Sequence, residues 1–253
     1  MKKLLLAVAA VLVLASCEKK EEAAPAGTNV HITGNVKGFK QGKLYLAREN
    51  DSAYTVIDTI TINGNSAFES HLKLDSPEML YLFIDRVSTN SLDNKLQVFA
   101  EPGDIKIETT LEGFYANAKV TASENQKLWE EYLTHKKRLN DRKLDLIKEQ
   151  YEADIKKNKA KSDSLAKKID RNMVSMYLAA ANFAVNHADK EIAPYLGVAE
   201  IPNINLKYLL MIDEKLTPKM KSSLYGKQLA KLIEFRKKND PVVGKEPAVP
   251  SAK

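Results

Sequence analysis

Apolar and polar side chains alternate over short runs in the first half of the chain, as they do in β-strands that have one face in a core. Such runs begin at Val30 and Lys43, and two more cover residues 95–100 and 104–109. Residues 79–84 are apolar without interruption, which predicts a central strand buried on both faces. The pattern predicts roughly seven or eight short strands, as in an antiparallel β-sandwich.

Turn residues separate these runs. Asn63-Gly64 lies between alternating runs at 55–62 and 67–74. A type I′ turn needs positive φ at both central residues, so this dipeptide predicts a β-hairpin that pairs the two runs. Glu101-Pro102-Gly103 predicts another turn, because Pro presets φ and Gly tolerates the left-handed region.

Beyond residue 121 the spacing of apolar residues changes to three and four, the period of an amphipathic α-helix. A narrow apolar stripe runs through Leu128, Tyr132, Leu144, Ile147, Tyr151 and Ile155. A second stripe begins near Ser162 and runs through Leu165, Ile169, Met173, Tyr177 and Ala180. The two stripes predict a long antiparallel helical hairpin that packs against the sandwich at one end.

Shorter helices are predicted near 191–196, 206–215 and 225–238. We therefore predict an α+β fold with an N-terminal antiparallel β-sandwich domain at 28–121 and a C-terminal helical domain at 122–240. A Pro-rich tail at 241–253 is predicted to be disordered, because it has few residues that could join a core. Trp129 is expected to fasten the hairpin to the sandwich, since large aromatic side chains dominate core packing.

The N-terminus has the three parts of a bacterial lipoprotein signal. A basic segment at 2–3 precedes an apolar segment too short to span a bilayer, and the motif Leu-Ala-Ser-Cys at 14–17 resembles a lipobox. We expect a signal peptide at 1–16, cleavage between Ser16 and Cys17, and acyl chains that include palmitate on Cys17. This anchor predicts an outer-membrane location, on the periplasmic face or at the cell surface.

Residues 17–27 are predicted to form a polar tether behind the lipid. Within it, Lys20-Glu21-Glu22 resembles the lysine-plus-two-acids signal that sends some Gram-negative lipoproteins to the cell surface; the alternative is a solvated spacer. Cys17 is the single cysteine of the chain. A disulfide within the chain and a Cys-x-x-Cys redox pair are therefore excluded, and with them thiol–disulfide oxidoreductase activity.

Charge divides the chain in the same place as the apolar pattern. Residues 28–121 carry 9 basic and 12 acidic side chains, whereas residues 122–240 carry 24 and 17. An exported lipoprotein does not meet nucleic acid, so the partners expected for the basic region are an envelope protein, an acidic glycan or anionic lipid. The alternative is that Lys and Glu only solvate the long helices. The basic residues expected to bind such a partner are Lys136, Lys137, Arg138, Arg142 and Lys143.

Motifs that would reveal a reaction are missing from the sequence. The four histidines, His31, His71, His135 and His187, share no metal-ligand spacing, so each is interpreted as a packed or exposed imidazole. The sequence contains no Gly-rich phosphate loop and no Gly-x-Ser-x-Gly elbow. We therefore predict no catalytic residue, no metal and no cofactor.

Several segments together resemble one known family. They are Ile32-Thr33-Gly34-Asn35-Val36, Lys43-Leu44-Tyr45-Leu46, the Asn63-Gly64 turn, Glu101-Pro102-Gly103-Asp104 and Ala118-Lys119-Val120-Thr121. The chain resembles the family of the domain of unknown function 4369, the N-terminal module of membrane-tethered thioredoxin-like lipoproteins. In such relatives a linker similar to residues 243–248 leads to a thioredoxin-like domain, which this sequence lacks. The resemblance implies a non-catalytic accessory module.

Three functional hypotheses follow from these observations. The first is a non-catalytic, membrane-anchored interaction module of the cell envelope, with the helical arm as the binding element. The second is a lipoprotein that binds a glycan, lipid or peptide in a pocket at the junction of sandwich and helices. The third, an enzyme with dispersed carboxylates and no readable motif, is the weakest, because dispersed acids are common on any soluble surface.

Overall fold

A computed structural model of the chain describes residues 25–50, 53–86 and 91–240. The predicted signal peptide at 1–16, Cys17, Lys20-Glu21-Glu22 and the tail at 241–253 lie outside these ranges, so the predictions about them remain predictions. Within the described ranges, no helix combines the length and the apolar character that a bilayer span requires.

The first part of the described chain consists of β-strands. They are β1 (Val30–Lys37), β2 (Gln41–Asn50), β3 (Ala53–Asn63), β4 (Ala67–Leu72), β5 (Glu78–Ile84), β6 (Lys95–Ala100), β7 (Gly103–Thr110) and β8 (Lys119–Thr121). They form two four-stranded sheets, with strand orders β4-β1-β7-β8 and β3-β2-β5-β6. All neighbouring pairs are antiparallel except β1 and β7. The predicted β-sandwich is confirmed.

Strand β5 is buried on both faces, as its uninterrupted apolar run predicts. It lies between β2 and β6, so it is a central strand. Leu80 and Leu82 point into the core between the two sheets, whereas Met79 and Tyr81 belong to a second core shared with the helices. Successive side chains of a strand point to opposite faces, and here both faces are covered.

The prediction of a β-hairpin at Asn63-Gly64 is wrong. Strands β3 and β4 flank this dipeptide but belong to different sheets, because β3 pairs with β2 and β4 pairs with β1. Gly64 does have positive φ (86°), and its N–H donates to the carbonyl of Lys40 at 2.7 Å. The turn therefore connects one sheet to the other instead of joining two paired strands in a hairpin, since tertiary packing decides which strands pair.

The second part of the described chain is helical. The helices are α1 (Glu124–Ile155), α2 (Lys159–Asn186), α3 (Ile192–Tyr195), α4 (Leu206–Lys215), α5 (Pro218–Ser222) and α6 (Leu224–Asn239), with a π-helical turn at Leu196–Glu200. The side chain of Ser123 caps α1 by accepting the N–H of Gln126, and Asn158 caps α2 in the same way. Helices α1 and α2 form the predicted antiparallel hairpin, so the α+β fold is confirmed.

Packed aromatic side chains fill the junction between sandwich and helices. Trp129 is buried against Tyr132 and Tyr195, and its cluster includes Phe99 of β6, so the predicted role of Trp129 is confirmed. The Gln126 side chain accepts the backbone N–H of Phe99 at 2.8 Å. Helix α1 thereby covers an edge strand that would otherwise expose unpaired backbone groups.

Candidate functional site

A groove opens between the base of the helical hairpin and the π-helical turn. Its volume is about 410 Å³. The apolar side chains that line it are Tyr132, Leu139, Met173, Met176, Tyr177, Ala179, Phe183 and Ile201. None of the described residues of the two sheets lines it, but Tyr132 and Ile201 also belong to the cluster that fills the junction, so the groove adjoins the place where the ligand pocket was predicted and opens on its helical side. The groove is therefore formed by the helical part of the chain.

Three of the five basic residues singled out from the sequence line this groove: Lys136, Arg138 and Lys143. Lys136 and Lys143 are seven residues apart on α1, so they share a helix face with the lining residue Leu139. Lys137 and Arg142 do not line the groove. Each is the sequence neighbour of a lysine that lines the groove. Neighbouring residues of an α-helix are rotated by about 100° around its axis, so these two side chains point in a different direction.

The π-helical turn brings one acidic residue to the groove. Glu200 accepts a hydrogen bond from the hydroxyl of Tyr132 at 2.9 Å and forms an ion pair with Lys136. Burial, together with the nearby Glu200 carboxylate, raises the pKa of Tyr132, so this side chain is a neutral donor at physiological pH.

Glu200 compensates the charge of Lys136 only. Arg138 and Lys143 have no ion-pair partner among the described residues. The groove therefore combines an apolar floor with a rim that carries uncompensated positive charge. Such a surface is complementary to a molecule that has an apolar body and acidic groups at its edge.

The distal half of α1 exposes an apolar stripe to solvent. Leu144, Ile147, Tyr151 and Ile155 are between 41% and 66% exposed, although their spacing is that of a core-facing stripe. Helix α2 packs on a different face of α1, where Ala153 is buried. We call these four side chains the distal stripe.

A second cluster of chemistry-bearing side chains lies on the outer face of the first sheet. His31 and His71 are directly opposite each other on β1 and β4, and their rings stack with centroids 4.5 Å apart. Their Nε2 atoms lie 2.8 and 2.9 Å from the same oxygen, Oε1 of Glu69. The His31 Nδ1 atom faces Asp104 of β7 at 3.2 Å. Hydrogen bonding from His31 lowers the pKa of Glu69.

Sequence spacing did not reveal this cluster, because its members come from three strands that are distant along the chain. His31 and Glu69 are 38 residues apart, and His31 and Asp104 are 73 residues apart. Only the strand order β4-β1-β7 and its register place them side by side. Among the described residues, His31, Glu69 and His71 are the group whose donor atoms lie close enough together to hold a metal ion.

Comparison with known families supports the resemblance seen in the sequence. Residues 30–129 match the family described as "Domain of unknown function (DUF4369)". The match spans the eight strands and the first turn of α1, so the predicted family is confirmed for this part of the chain. No curated protein matches the sequence.

Proposed function

We propose that this chain, whose residues 30–129 match a domain of unknown function, is a non-catalytic accessory interaction module anchored to the outer membrane. In this proposal the helical hairpin binds an acidic amphipathic segment of another envelope protein. The observation that carries the proposal is the groove beside α1 and α2, with its apolar floor and basic rim.

The floor of the groove has the chemistry of a helix-binding surface. Met173 and Met176 lie beside Tyr177 and Phe183. Methionine side chains adapt their shape to a partner, and aromatic rings bury large apolar areas. An amphipathic helix presents apolar residues at spacings of three and four to such a groove, so floor and partner would exclude water together.

The rim supplies the preference for an acidic partner. Arg138 and Lys143 are the groove cations without an ion-pair partner among the described residues, so Asp or Glu side chains on the partner would gain new ion pairs there. The distal stripe begins at Leu144, immediately after Lys143 on the same helix. Exposed apolar surface of this kind is typical of protein interaction sites.

The predicted lipid on Cys17 would hold this module at the membrane through the tether at 17–27. Anchoring confines the hairpin to the zone where envelope proteins are found, which raises its effective concentration toward a membrane-bound partner. If Lys20-Glu21-Glu22 acts as an export signal, that partner is at the cell surface; otherwise it is in the periplasm. An acidic glycan would be an alternative occupant of the same rim.

In-cell crosslinking of the native lipidated protein tests the proposal, with charge reversals that separate the groove from the rest of α1. The test variant is Arg138→Glu with Lys143→Glu, and the matched control is Lys137→Glu with Arg142→Glu. Both change the net charge equally, but only the first pair lines the groove. Lys136 is left intact, because a carboxylate there would face the largely buried Glu200. The ion pair of Lys137 with Asp141, which the control removes, is exposed and contributes little to stability.

We expect a reproducible crosslinked partner that the groove variant loses and the control retains. Equal loss in both variants would show a nonspecific charge effect, and equal retention would place the binding surface elsewhere. Either result contradicts the groove as the interaction site. A soluble form with Cys17→Ser tests the anchor separately, since it should lose membrane association and keep its fold.

The volume of the groove favours a second candidate function, the binding of a small anionic amphiphile such as a fatty acid. Ligand pockets have volumes of roughly 300–1,000 Å³, and the groove falls in this range. Native mass spectrometry of the protein purified from membranes distinguishes the two functions. A bound lipid of defined mass that Arg138→Glu with Lys143→Glu removes would favour the small ligand.

A further inference from the structure

We propose that the outer face of the first sheet binds a divalent transition-metal ion through His31, His71 and Glu69, with Asp104 as a positioning residue. This site is independent of the groove, because it lies on the sandwich and shares no residue with it. Zn(II) is the probe that its ligand chemistry suggests, since two imidazoles and one carboxylate are a zinc ligand set that leaves a coordination position open.

The three donor side chains converge on one point. The Nε2 atoms of His31 and His71 both approach Oε1 of Glu69, and the donor atoms all lie within 4.8 Å of one another. Zinc bonds of about 2 Å place tetrahedral donors roughly 3.3 Å apart, so small side-chain rotations that move Oε1 of Glu69 away from the two Nε2 atoms would admit an ion between them. The ligands lie on two hydrogen-bonded strands, which hold the backbone in place while the side chains adjust.

The contacts of His31 are suited to a bound cation. Both ring nitrogens of His31 face carboxylate oxygens, Nδ1 toward Asp104 and Nε2 toward Glu69. A neutral imidazole has a single N–H, so both contacts are satisfied together either by a doubly protonated ring or by a cation that binds one of the two nitrogens. With an ion on the Glu69 side, Nε2 binds the ion and Nδ1–H donates to Asp104.

Charge and access agree with this assignment. The carboxylates of Glu69 and Asp104 bring two negative charges to the cluster, which a divalent ion would balance. Glu69 is 57% exposed at its side chain, so an ion can enter from solvent. The contact of His31 with Asp104 is the carboxylate–histidine arrangement that orients metal-ligating imidazoles in proteins.

Zinc titration of the full chain tests the site, by calorimetry or with a competing chromophoric chelator. We expect one Zn(II) per chain, and at least tenfold weaker binding in His31→Ala and in His71→Ala. His135→Ala is the matched control, because His135 also faces a glutamate, Glu131 at 3.8 Å, but has no second histidine beside that glutamate among the described residues. This control should bind zinc as the unmodified protein does.

Thermal unfolding in a metal-free buffer separates metal binding from folding. All variants should keep their cooperative transition there, and zinc should raise the midpoint only where His31 and His71 are both present. The absence of zinc binding to the unmodified protein would overturn the proposal. Equal binding by the His31→Ala, His71→Ala and His135→Ala variants would overturn it as well.

The role of Asp104 has its own readout. Asp104→Ala is expected to weaken zinc binding by about 10–100-fold at unchanged stoichiometry. Asp104→Asn keeps an acceptor for Nδ1–H and should recover part of that loss. The side chain of Asp104 is 92% exposed, so neither change should affect folding. In the zinc-bound protein, the imidazole nitrogen chemical shifts of His31 should be those of the tautomer that carries its proton on Nδ1. In Asp104→Ala these shifts should change, because Nδ1–H has lost its acceptor. Unchanged zinc affinity and unchanged shifts would refute a positioning role.

Discussion

The junction between sandwich and helices is held by a buried hydrogen bond that one substitution removes. The backbone N–H of Met79, at the start of β5, donates to the hydroxyl oxygen of Tyr225 on α6 at 2.7 Å. These residues are 146 positions apart along the chain, so the bond exists only when the two regions are docked. Burial raises the pKa of Tyr225, which keeps the hydroxyl neutral over the accessible pH range.

Tyr225→Phe removes the oxygen and leaves the ring in place. The N–H of Met79 then remains buried without an acceptor, and an orphaned buried donor costs about 1–3 kcal/mol. For a chain of this size, 1 kcal/mol shifts the midpoint of thermal unfolding by about 2–4 °C, so a fall of about 2–12 °C is expected. The aromatic contacts of Tyr225 with Phe99 and Tyr195 should persist, because they depend on the ring.

Urea unfolding measures this change with two probes. Circular dichroism follows the helices, and the fluorescence of Trp129, the only tryptophan, follows the junction cluster to which Tyr225 also belongs. Tyr151→Phe is the control, because Tyr151 is two-thirds exposed. A loss below about 0.5 kcal/mol in Tyr225→Phe, or an equal loss in the control, would refute the reasoning.

Three further predictions follow from the packing and the charges. In Gly34→Ala, the new Cβ would clash with the Phe68 ring and lie 2.5 Å from the backbone carbonyl oxygen of Ile107, so we expect a loss of about 1–3 kcal/mol in urea unfolding. Burial raises the pKa of Glu191, so the folded state favours its protonated form, and the free energy of unfolding should fall as pH rises above the ordinary carboxyl pKa. Glu191→Gln should therefore be more stable than the unmodified protein near pH 8 but not near pH 4. A difference in stability that stays constant with pH would contradict this. Leu144→Lys with Ile147→Lys should leave stability within about 0.5 kcal/mol because both side chains are exposed, while weakening the crosslink to the partner; a large loss of stability would show that the stripe supports the fold.

The fold class was predictable because it depends on local periodicity. Alternation of period two marked the strands, spacing of three and four marked α1 and α2, and the apolar run at 79–84 correctly predicted a strand with two buried faces. The burial of Trp129 was predictable for the same reason, because a large aromatic side chain next to an apolar helical stripe is expected to lie in the core. The family match over 30–129 confirms the resemblance that these segments carry.

Pairing between distant segments was not predictable from local pattern. Asn63-Gly64 has the residues of a hairpin turn, yet the flanking strands enter different sheets, because strand choice depends on which faces the whole molecule can bury. The distal stripe has core-facing spacing but remains exposed, since α2 packs on another face of α1.

The sequence by itself determined where strands and helices form and which residues carry charge, because both follow from side chains that are near one another in the chain. Only the tertiary structure decided which of those charged side chains lie close together in space. It divided the basic residues of α1 into Lys136, Arg138 and Lys143 around the groove and two others outside it. It also placed His31 beside His71 through strand register, which depends on long-range backbone hydrogen bonds that no short window of sequence contains.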